Sequence, residues 1–349
     1  MKARDGAAGL SRTWQRTMNR KLGAAARLAV IVALGVAAVE GSDQLSPVEF
    51  HQSANKIDIL IGGKLFTTYH FEASVAKPYF QPLRSAQGTI VTRDFPNGHT
   101  VPAEHQKDKN LEPHQRPMYF GHGNVDGIDF WGEAAFPKWS DDTVFGRTVL
   151  KRIEEVRGGA NEGVLRATFD LVGPRGRVIA QQEQAYTFRG DSRMRSIDCE
   201  FTIKANQGSA VTMGDTKEGS FAVRVAQELN SPPGHIVNSA GATDAKVWGQ
   251  RADWVDYYGN VNGENAGVAI MDSPKSFRHP TYWHARTYGL AAANPFAIRE
   301  FSNDPAKDGS WTIQQGETLT FRYRVVIHHG DYREAGIAEL YRRYAAEQK

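Results

Sequence analysis

Each of four stretches of the sequence combines aromatic residues with histidine, basic or carboxylate residues, and these types together can transfer protons and stack on a flat ligand. The stretches are 114–131, 214–221, 248–259 and 279–296. Histidine is the natural acid or base near neutral pH, and tryptophan and tyrosine offer an apolar face with a polar tip. This mixture suits the CH face and the hydroxyl edge of a sugar ring. The sequence therefore predicts a small-molecule pocket, with a carbohydrate as the favoured ligand.

An enzyme with such a pocket needs an acid and a base on either side of the ligand. We predict that His122 and His284 fill these roles, and that Glu218 acts as a base or an electrostatic stabiliser. Arg286 and Lys217 can hold a ligand carboxylate or a developing oxyanion, arginine as a two-pronged donor and lysine as a point charge. These five residues form the predicted catalytic set.

Other polar and aromatic residues of the four stretches are predicted to contact the ligand, with Trp254 and Tyr282 stacking on the sugar. A hydrolase with two carboxylates would also need a partner for Glu218, such as Asp129 or Asp256, at about 5–9.5 Å. The predicted binding residues are His114, Arg116, Asp129, Trp131, Trp254, Asp256, Tyr282, Tyr288 and Asn294.

Three functions stay open from the residues alone. The first is a carbohydrate-active enzyme, either a hydrolase, a lyase or an epimerase. The second is a non-catalytic carbohydrate-binding protein, which needs the aromatic and polar groups but no histidines poised to titrate. The third is a metal-dependent oxidoreductase with a site assembled from His114, His122, His284 and a carboxylate distant in sequence, which the spacing neither supports nor excludes. No zinc, P-loop, dinucleotide-binding or G-x-S-x-G motif occurs in the sequence, so no cofactor is implied by a motif.

The elements that must position these residues alternate apolar and polar side chains with a period of two. The pattern runs through residues 57–61, 165–171, 197–203, 221–225 and 321–327, with glycine-rich and proline-rich turns between the runs. Half-buried antiparallel strands need this alternation. The chain is therefore predicted to be all-β, a large antiparallel β-sandwich.

Two further expectations follow from local geometry. Side chains two residues apart in an extended chain point the same way, which predicts that Arg116 and His122 share one face of a strand. After Asp331 the apolar residues recur at helical spacing instead. We therefore predict a C-terminal helix that packs on the sandwich, with Asp331 as its N-cap.

The composition is ordinary for a globular protein, with 40% hydrophobic and 23% charged residues among 349. The formal net charge of +3 comes without a basic stripe, so we expect no nucleic-acid partner. The single cysteine, Cys199, excludes an internal disulfide, and its place in an alternating run predicts a buried, inert thiol. We expect one domain from residue 41 to residue 349.

The N-terminus carries an apolar run of twelve residues, 28–39, behind basic residues. This run is short for a membrane span and has the length of a signal-peptide core. We predict a leader over residues 1–40, with Met18 as the true start, and a periplasmic or secreted protein. An uncleaved N-terminal anchor is the alternative. No later stretch is long and apolar enough to span a bilayer, so we expect no membrane contact beyond the leader.

The same stretches resemble a bacterial family catalogued as methane oxygenase PmoA. The matching runs lie at 113–131, 215–219, 248–259 and 280–296, and they include a D-T-K-E-G run and a P-T-x-W-H-x-R-x-Y-G run. One departure is Gln115, which stands where the family pattern has a second histidine. Any family role that needs a histidine pair at this place is therefore in doubt here.

The similarity to this family spans nearly the whole mature chain. The family label names a membrane subunit that crosses the bilayer several times, whereas this sequence has no such segments after its leader. The resemblance therefore implies a periplasmic or secreted protein similar to sugar-acting β-sandwich proteins, such as the galactose mutarotase supersandwich, and not a methane-oxidising subunit.

Overall fold

The computed structural model describes residues 44–136 and 142–348. These residues belong to one compact unit, Ser42–Lys349. The predicted leader over residues 1–40 and the predicted start at Met18 lie outside the described residues. No helix in the described ranges has the length and apolarity to cross a bilayer.

Strands make up most of the regular structure. In chain order they are β1 Val48–Gln52, β2 Lys56–Ile61, β3 Lys64–His70, β4 Tyr79–Gln81, β5 Met118–His122, β6 Arg147–Arg157, β7 Gly163–Val172, β8 Val178–Gly190, β9 Arg195–Lys204, β10 Val211–Met213, β11 Gly219–Arg224, β12 His235–Asn238, β13 Trp254–Val261, β14 Glu264–Asp272, β15 Tyr282–Ala285, β16 Leu290–Asn294, β17 Trp311–Ile313 and β18 Thr318–His329. The α-helices are α1 Ile298–Phe301 and α2 Ile337–Glu347. Short 3-10 turns span Ala103–His105, Pro174–Gly176, Gln227–Leu229 and Asp244–Val247.

These strands form two large antiparallel sheets. Sheet 1 has the strand order β1-β2-β3-β4-β5-β11-β16-β15, and sheet 2 has the order β12-β13-β14-β18-β9-β8-β7-β6. A small ribbon pairs β10 with β17. The predicted all-β, antiparallel sandwich with a C-terminal helix is confirmed, and its five predicted runs correspond to β2, β7, β9, β11 and β18.

The core lies between the two sheets, because alternate residues of each strand are apolar and turn to the same side. Phe120 of sheet 1 stacks on Phe201 of sheet 2 with ring centroids 4.5 Å apart, and Phe221 stacks on Tyr323 at 5.0 Å. Cys199 is buried in this core, as the alternation predicted. The remaining faces of the two sheets point away from the core, and we call them the outer faces.

Helix α2 packs on the outer face of sheet 2. Its Ile337 and Tyr344 form an apolar cluster with Trp254, Met271 and Val326 of the sheet. This contact is the one expected for an amphipathic terminal helix.

The helix begins later than the sequence predicted. Asp331 accepts backbone N–H bonds from Arg333 and Glu334, so it caps a turn that precedes α2. Gly336, at the start of α2, has a left-handed backbone with φ of 66°. That conformation interrupts helical dihedral angles and favours glycine, which is why Asp331 is not the N-cap.

Candidate functional site

A row of side chains crosses five strands on the outer face of sheet 1. The strand register pairs Tyr79 with Tyr119, Tyr119 with Ala222, Ala222 with Ala292, and Ala292 with His284. Paired residues of antiparallel strands project to the same side. Two alanines therefore lie between tyrosine rings and an imidazole ring, and we call these five residues the aromatic row.

Two buried hydrogen-bond donors, one in this row and one next to it, have no acceptor in the part of the chain that the structure describes. The hydroxyl of Tyr119 and the indole Nε1 of Trp131 are buried, and neither has a hydrogen-bond partner among the described residues. Burial, followed by the Glu218 and Glu133 carboxylates, raises the pKa of Tyr119 well above its usual range, so the hydroxyl keeps its proton. A buried donor left without a partner costs about 1–3 kcal/mol. A ligand that accepted these bonds would remove that penalty.

Glu133 joins two buried cations next to the aromatic row. Arg116 donates to it from Nε at 2.8 Å and Nη2 at 2.6 Å, and Lys77 donates from Nζ at 2.9 Å. Burial opposes the charge of Glu133, but Lys77 and Arg116 outweigh it and lower its pKa to about 2. The Lys77 ammonium also lies 4.9 Å from the centre of the Tyr119 ring. Arg116, predicted to bind ligand, is thus held by a protein carboxylate.

Sequence reasoning missed Lys77 and Glu133. Glu133 lies two residues after the first of the four stretches, 114–131, so extending that stretch by two residues would have included it. Lys77 lies outside the four stretches, although Tyr79 and Phe80 follow it closely, and only the fold places it against Glu133.

Glu218 and Asp129 line one cleft of about 330 Å³ at one end of this outer face. We call it the acidic cleft. Asp129 Oδ1 accepts the backbone N–H groups of Trp131 at 2.7 Å and Gly132 at 2.8 Å. Burial nevertheless raises the pKa of Asp129. The structure therefore brings together Glu218 and one of its two predicted carboxylate partners.

The loop that carries Glu218 is held by two of the predicted site residues. Nδ1 of His284 donates to the carbonyl of Lys217 at 3.0 Å. Nδ2 of Asn294 donates to the carbonyl of Thr216 at 2.8 Å. The two side chains bind adjacent carbonyls that directly precede Glu218, so they hold the backbone of its loop.

The two histidines of the predicted catalytic set are buried and uncharged at neutral pH. Nε2 of His122 donates to the carbonyl of Gly214 at 2.8 Å, and its Nδ1 accepts a bond of 3.3 Å from the Ser220 hydroxyl. Burial lowers its pKa to about 4. Burial, followed by the nearby Arg286, lowers the pKa of His284 to about 3. Because Nδ1 of His284 carries the hydrogen, its Nε2 holds the lone pair and can accept a hydrogen bond.

The prediction that Arg116 and His122 share a face is wrong. Strand β5 begins at Met118, after Pro117, so the alternation does not extend back to Arg116. His122 lies against Phe296 of the core, with ring centroids 4.8 Å apart. Arg116 instead lies on the outer face, where its guanidinium is 4.7 Å from the centre of a ring of the aromatic row.

A larger cleft of about 450 Å³ lies at the opposite end of the outer face. It is lined by Arg224 and Tyr288, whose guanidinium and ring centre are 4.5 Å apart. Arg286 lies over the same ring at 5.4 Å. Strand β11 separates this cleft from Glu218, and its length from Gly219 to Arg224 is ~17 Å in an extended chain. We call this cleft, lined by Arg224 and Tyr288, the arginine cleft.

Three other predicted residues lie near these clefts but have protein contacts of their own. Nδ1 of the buried His114 is 3.7 Å from Glu112, and burial lowers the pKa of this histidine well below its usual value. Nζ of Lys217 pairs with Glu300 at 2.9 Å. Tyr282 is partly exposed on the edge strand β15.

Trp254 and Asp256 are not brought to this site. Both lie in β13 of sheet 2, where Trp254 belongs to the cluster under α2 and Asp256 Oδ1 is 3.0 Å from Nε2 of His328. The second oxygen of Asp256 has no partner in the described part of the chain. Trp254 and Asp256 lie two residues apart in β13 and so share a face, but local spacing does not tell to which sheet the strand belongs.

No group of three or more histidine, cysteine, aspartate or glutamate side chains in residues 44–136 and 142–348 is arranged to hold a metal ion.

Comparison with known families gives one match over most of the chain. Residues 56–342 match a family of unknown function, DUF6807. The chain belongs to this family. The matched range of this DUF6807 protein contains every predicted catalytic and binding residue. No curated protein matches the sequence.

Several solved structures match the chain at low sequence identity and low TM-score. An α-galactosidase from Lactobacillus brevis has a TM-score of 0.41 and 8% identity, and the match covers 82% of this chain and 40% of that one. A galactose mutarotase-like protein from Clostridium acetobutylicum has a TM-score of 0.32 and 10% identity, with 82% and 99% covered. An α-galactosidase from Geobacillus stearothermophilus in complex with raffinose has a TM-score of 0.36 and 11% identity, with 81% and 40% covered. This DUF6807 protein thus spans about 40% of the length of these galactosidases.

Proposed function

We propose that this protein is a carbohydrate-active enzyme that acts through the outer face of sheet 1, with Glu218 and Asp129 as the reactive carboxylates. The observation that carries the proposal is that both carboxylates line the acidic cleft. Most glycoside hydrolases use two carboxyl groups, one on either side of the glycosidic bond, as their catalytic residues. Among hydrolase, lyase and epimerase, the pair therefore favours a hydrolase.

The environments of the two carboxylates suit different roles. Burial raises the pKa of Asp129, so this group holds a proton to higher pH and is the candidate acid for the departing sugar oxygen. Glu218 is partly exposed and is the candidate base or nucleophile. In the reaction the glycosidic C–O bond breaks, the leaving oxygen takes the proton of the acid, and water supplies the new C–O bond either directly or in a second step.

Groups beside the acidic cleft suit a polyhydroxylated ligand. The Tyr119 hydroxyl and Trp131 Nε1 are buried donors without a partner among the described residues, and each could donate to a sugar oxygen. Nε2 of the neutral His284 could accept from a sugar hydroxyl. This use of His284 differs from the acid–base role predicted from the sequence, which stays a prediction for both histidines.

The test is turnover by Glu218→Gln and Asp129→Asn variants on glycosides. Raffinose and stachyose, which solved galactosidase structures contain, are reasonable first substrates, followed by polysaccharides. Each variant should lose roughly 10²-fold or more in kcat, because general acid–base groups contribute about 10²–10⁴-fold. The control is Asp126→Asn, since Asp126 is an exposed carboxylate on the adjacent turn and the amide keeps its bond to Thr212. Equal losses in all three variants would contradict the assignment.

A non-catalytic carbohydrate-binding protein is the second candidate. The observation that favours it is the neutral state of His122 and His284, whose pKa values of about 4 and 3 leave no histidine acid at neutral pH. Sugar binding by the wild type, with no turnover of any glycoside, would select this function over the first.

We further propose that the protein is exported to the periplasm or secreted. The support is the apolar run 28–39 behind basic residues, which has the length of a signal-peptide core. Cell fractionation with N-terminal sequencing of the mature protein tests it. Recovery of the protein in the cytoplasm with residues 18–40 intact would contradict export.

A further inference from the structure

The arginine cleft contains two buried cations that bind only neutral groups of the protein. Arg224 is 5% exposed, and it donates to the side-chain carbonyl of Gln115 at 3.0 Å and to the carbonyl of Asn110 at 3.0 Å. Arg93 is 7% exposed, and it donates to carbonyls of the same loop, including that of Leu111 at 2.7 Å. No carboxylate in the described residues forms a salt bridge with either guanidinium.

Another buried arginine on the same outer face is paired with a carboxylate, in contrast to these two. The buried Arg116 has Glu133 as a two-pronged partner at 2.6 and 2.8 Å. Arg93 and Arg224 lack such a partner, and Nε of Arg93 is buried without any hydrogen-bond acceptor in the described ranges. Burial lowers the pKa of Arg224 to about 10, which still leaves the group charged at neutral pH. Two buried, uncompensated positive charges favour an anion in the cleft.

The carboxylates of the cleft do not neutralise the positive charge of the two arginines, because they lie nearer to the surface than the guanidinium groups. Asp94 is exposed, and Asp108 and Glu228 are partly exposed, whereas both arginines are buried. Asp108 is also 3.1 Å from His105. Exposed charges are screened by water and salt far more than buried ones, so the floor of the cleft stays positive.

Aromatic rings beside both guanidinium groups suit a sugar ring. Arg93 lies over Phe95 at 4.4 Å and Arg224 over Tyr288 at 4.5 Å from the ring centres. The cleft volume of about 450 Å³ lies within the range of small-molecule sites, about 300–1,000 Å³. Arginine is the side chain best shaped to hold a carboxylate with two parallel bonds.

We propose that the arginine cleft binds the carboxylate of an acidic sugar, such as a uronic acid unit, with Arg224 and Arg93 as its counter-charges. This inference rests on the proposed carbohydrate function and narrows it to acidic saccharides. It also assigns a binding role to Arg93 and Arg224, which lie outside the four stretches that the sequence analysis identified.

The test measures ligand-induced thermal stabilisation and affinity of the full chain for galacturonate and glucuronate. Galactose and glucose are the neutral counterparts, and acetate is the carboxylate without a sugar. We expect a rise of several degrees in Tm with saturating uronate, a smaller rise or none with the neutral sugars, and none with acetate. A rise in salt concentration should weaken uronate binding.

Two exposed lysines of one loop provide a matched pair of variants. Lys109 lines the cleft, whereas Lys107 does not. Lys109→Glu should weaken uronate binding roughly three- to tenfold, since it reverses one charge at the mouth, and Lys107→Glu should leave the affinity unchanged. Arg224→Gln should reduce the affinity by about 30-fold or more, and Arg224→Lys by less. If the Arg224 variants do not fold, the uronate affinities of Lys109→Glu and Lys107→Glu still test whether the ligand binds in the arginine cleft.

The outcomes separate this inference from the proposed function. Neutral sugars that stabilise the chain as well as uronates would overturn the acidic-sugar inference and leave the proposed function intact. Acetate binding as strong as uronate binding would show an anion site with no sugar preference, which overturns the inference. Uronate binding unchanged in both Lys109→Glu and Arg224→Gln would place the ligand elsewhere. A chain that no sugar stabilises would contradict both proposals.

Discussion

The outer faces of the two sheets both bury charged groups, but they balance those charges differently. On sheet 2, Asp256 and His328 form a single pair at 3.0 Å. On sheet 1, four buried cations have one directly bonded carboxylate, Glu133, among the described residues; the cations are Lys77, Arg93, Arg116 and Arg224. The charges of the pair on sheet 2 cancel each other, so this face needs no charged ligand. On sheet 1, an excess of positive charge together with buried donors that lack partners is typical of a face that binds a ligand.

The largest expected effect tests the imbalance on sheet 1. Glu133→Gln would leave Lys77 and Arg116 buried without their shared carboxylate, and we expect the free energy of unfolding to fall by about 3–5 kcal/mol. Urea denaturation measures this loss. Glu200→Gln on sheet 2 is the control, because Glu200 pairs with Arg322 near the surface and exposed pairs contribute ~1 kcal/mol or less. Equal stability of the two variants would show that the cations of sheet 1 do not depend on Glu133.

A smaller effect is expected from the balanced pair on sheet 2. Asp256→Asn keeps the shape of the side chain and removes its charge, so we expect a loss of about 1–3 kcal/mol in urea denaturation. Sugar binding should be unchanged, because Asp256 lies on the other sheet from both clefts. Loss of sugar binding in Asp256→Asn would contradict the claim that the ligand binds at the outer face of sheet 1 and not at that of sheet 2.

The same pair predicts a pH dependence. Burial opposes the charge of His328, but Asp256 outweighs it and raises the pKa of His328 above 6.5. A raised pKa means that the folded state binds the proton more tightly, so this contribution is complete below about pH 6.5 and is lost as the pH rises through the folded pKa. Urea denaturation across this range should show the loss in wild type and a smaller one in Asp256→Asn. An identical pH dependence in the two proteins would contradict the pair as its source.

The smallest expected effect compares two buried tyrosines. Tyr119→Phe removes a hydroxyl without a partner in the described residues, so stability should stay unchanged or rise by about 1 kcal/mol, while sugar affinity falls. Tyr257→Phe removes a hydroxyl that donates to the Leu290 carbonyl at 2.7 Å, so stability should fall by about 1 kcal/mol. Denaturation and sugar titration of both variants measure the difference. Destabilisation by Tyr119→Phe equal to that by Tyr257→Phe would mean that Tyr119 has a structural partner.

The candidate site was only partly predictable from the sequence. Glu218 and Asp129 were identified as a possible carboxylate pair, and the fold brings them to one cleft. His284 and Asn294 were identified as site residues, but their hydrogen bonds show that they hold the loop of Glu218. Arg93 was not marked at all, although Asp94 and Phe95 follow it directly, because only the fold places it in one cleft with Arg224.

The sequence by itself determined the strands, their buried sides and the antiparallel sandwich, because an alternation of apolar and polar residues depends only on the local period of an extended chain. Only the tertiary structure decided which strands became neighbours. It placed Trp254 under α2 and Asp256 against His328 on sheet 2, joined Lys77 to Glu133 across 56 positions of the chain, and put Arg93 beside Arg224 in one cleft. These contacts are long-range, and a period of two fixes the side of a strand on which a residue lies without fixing the strand or loop that faces it.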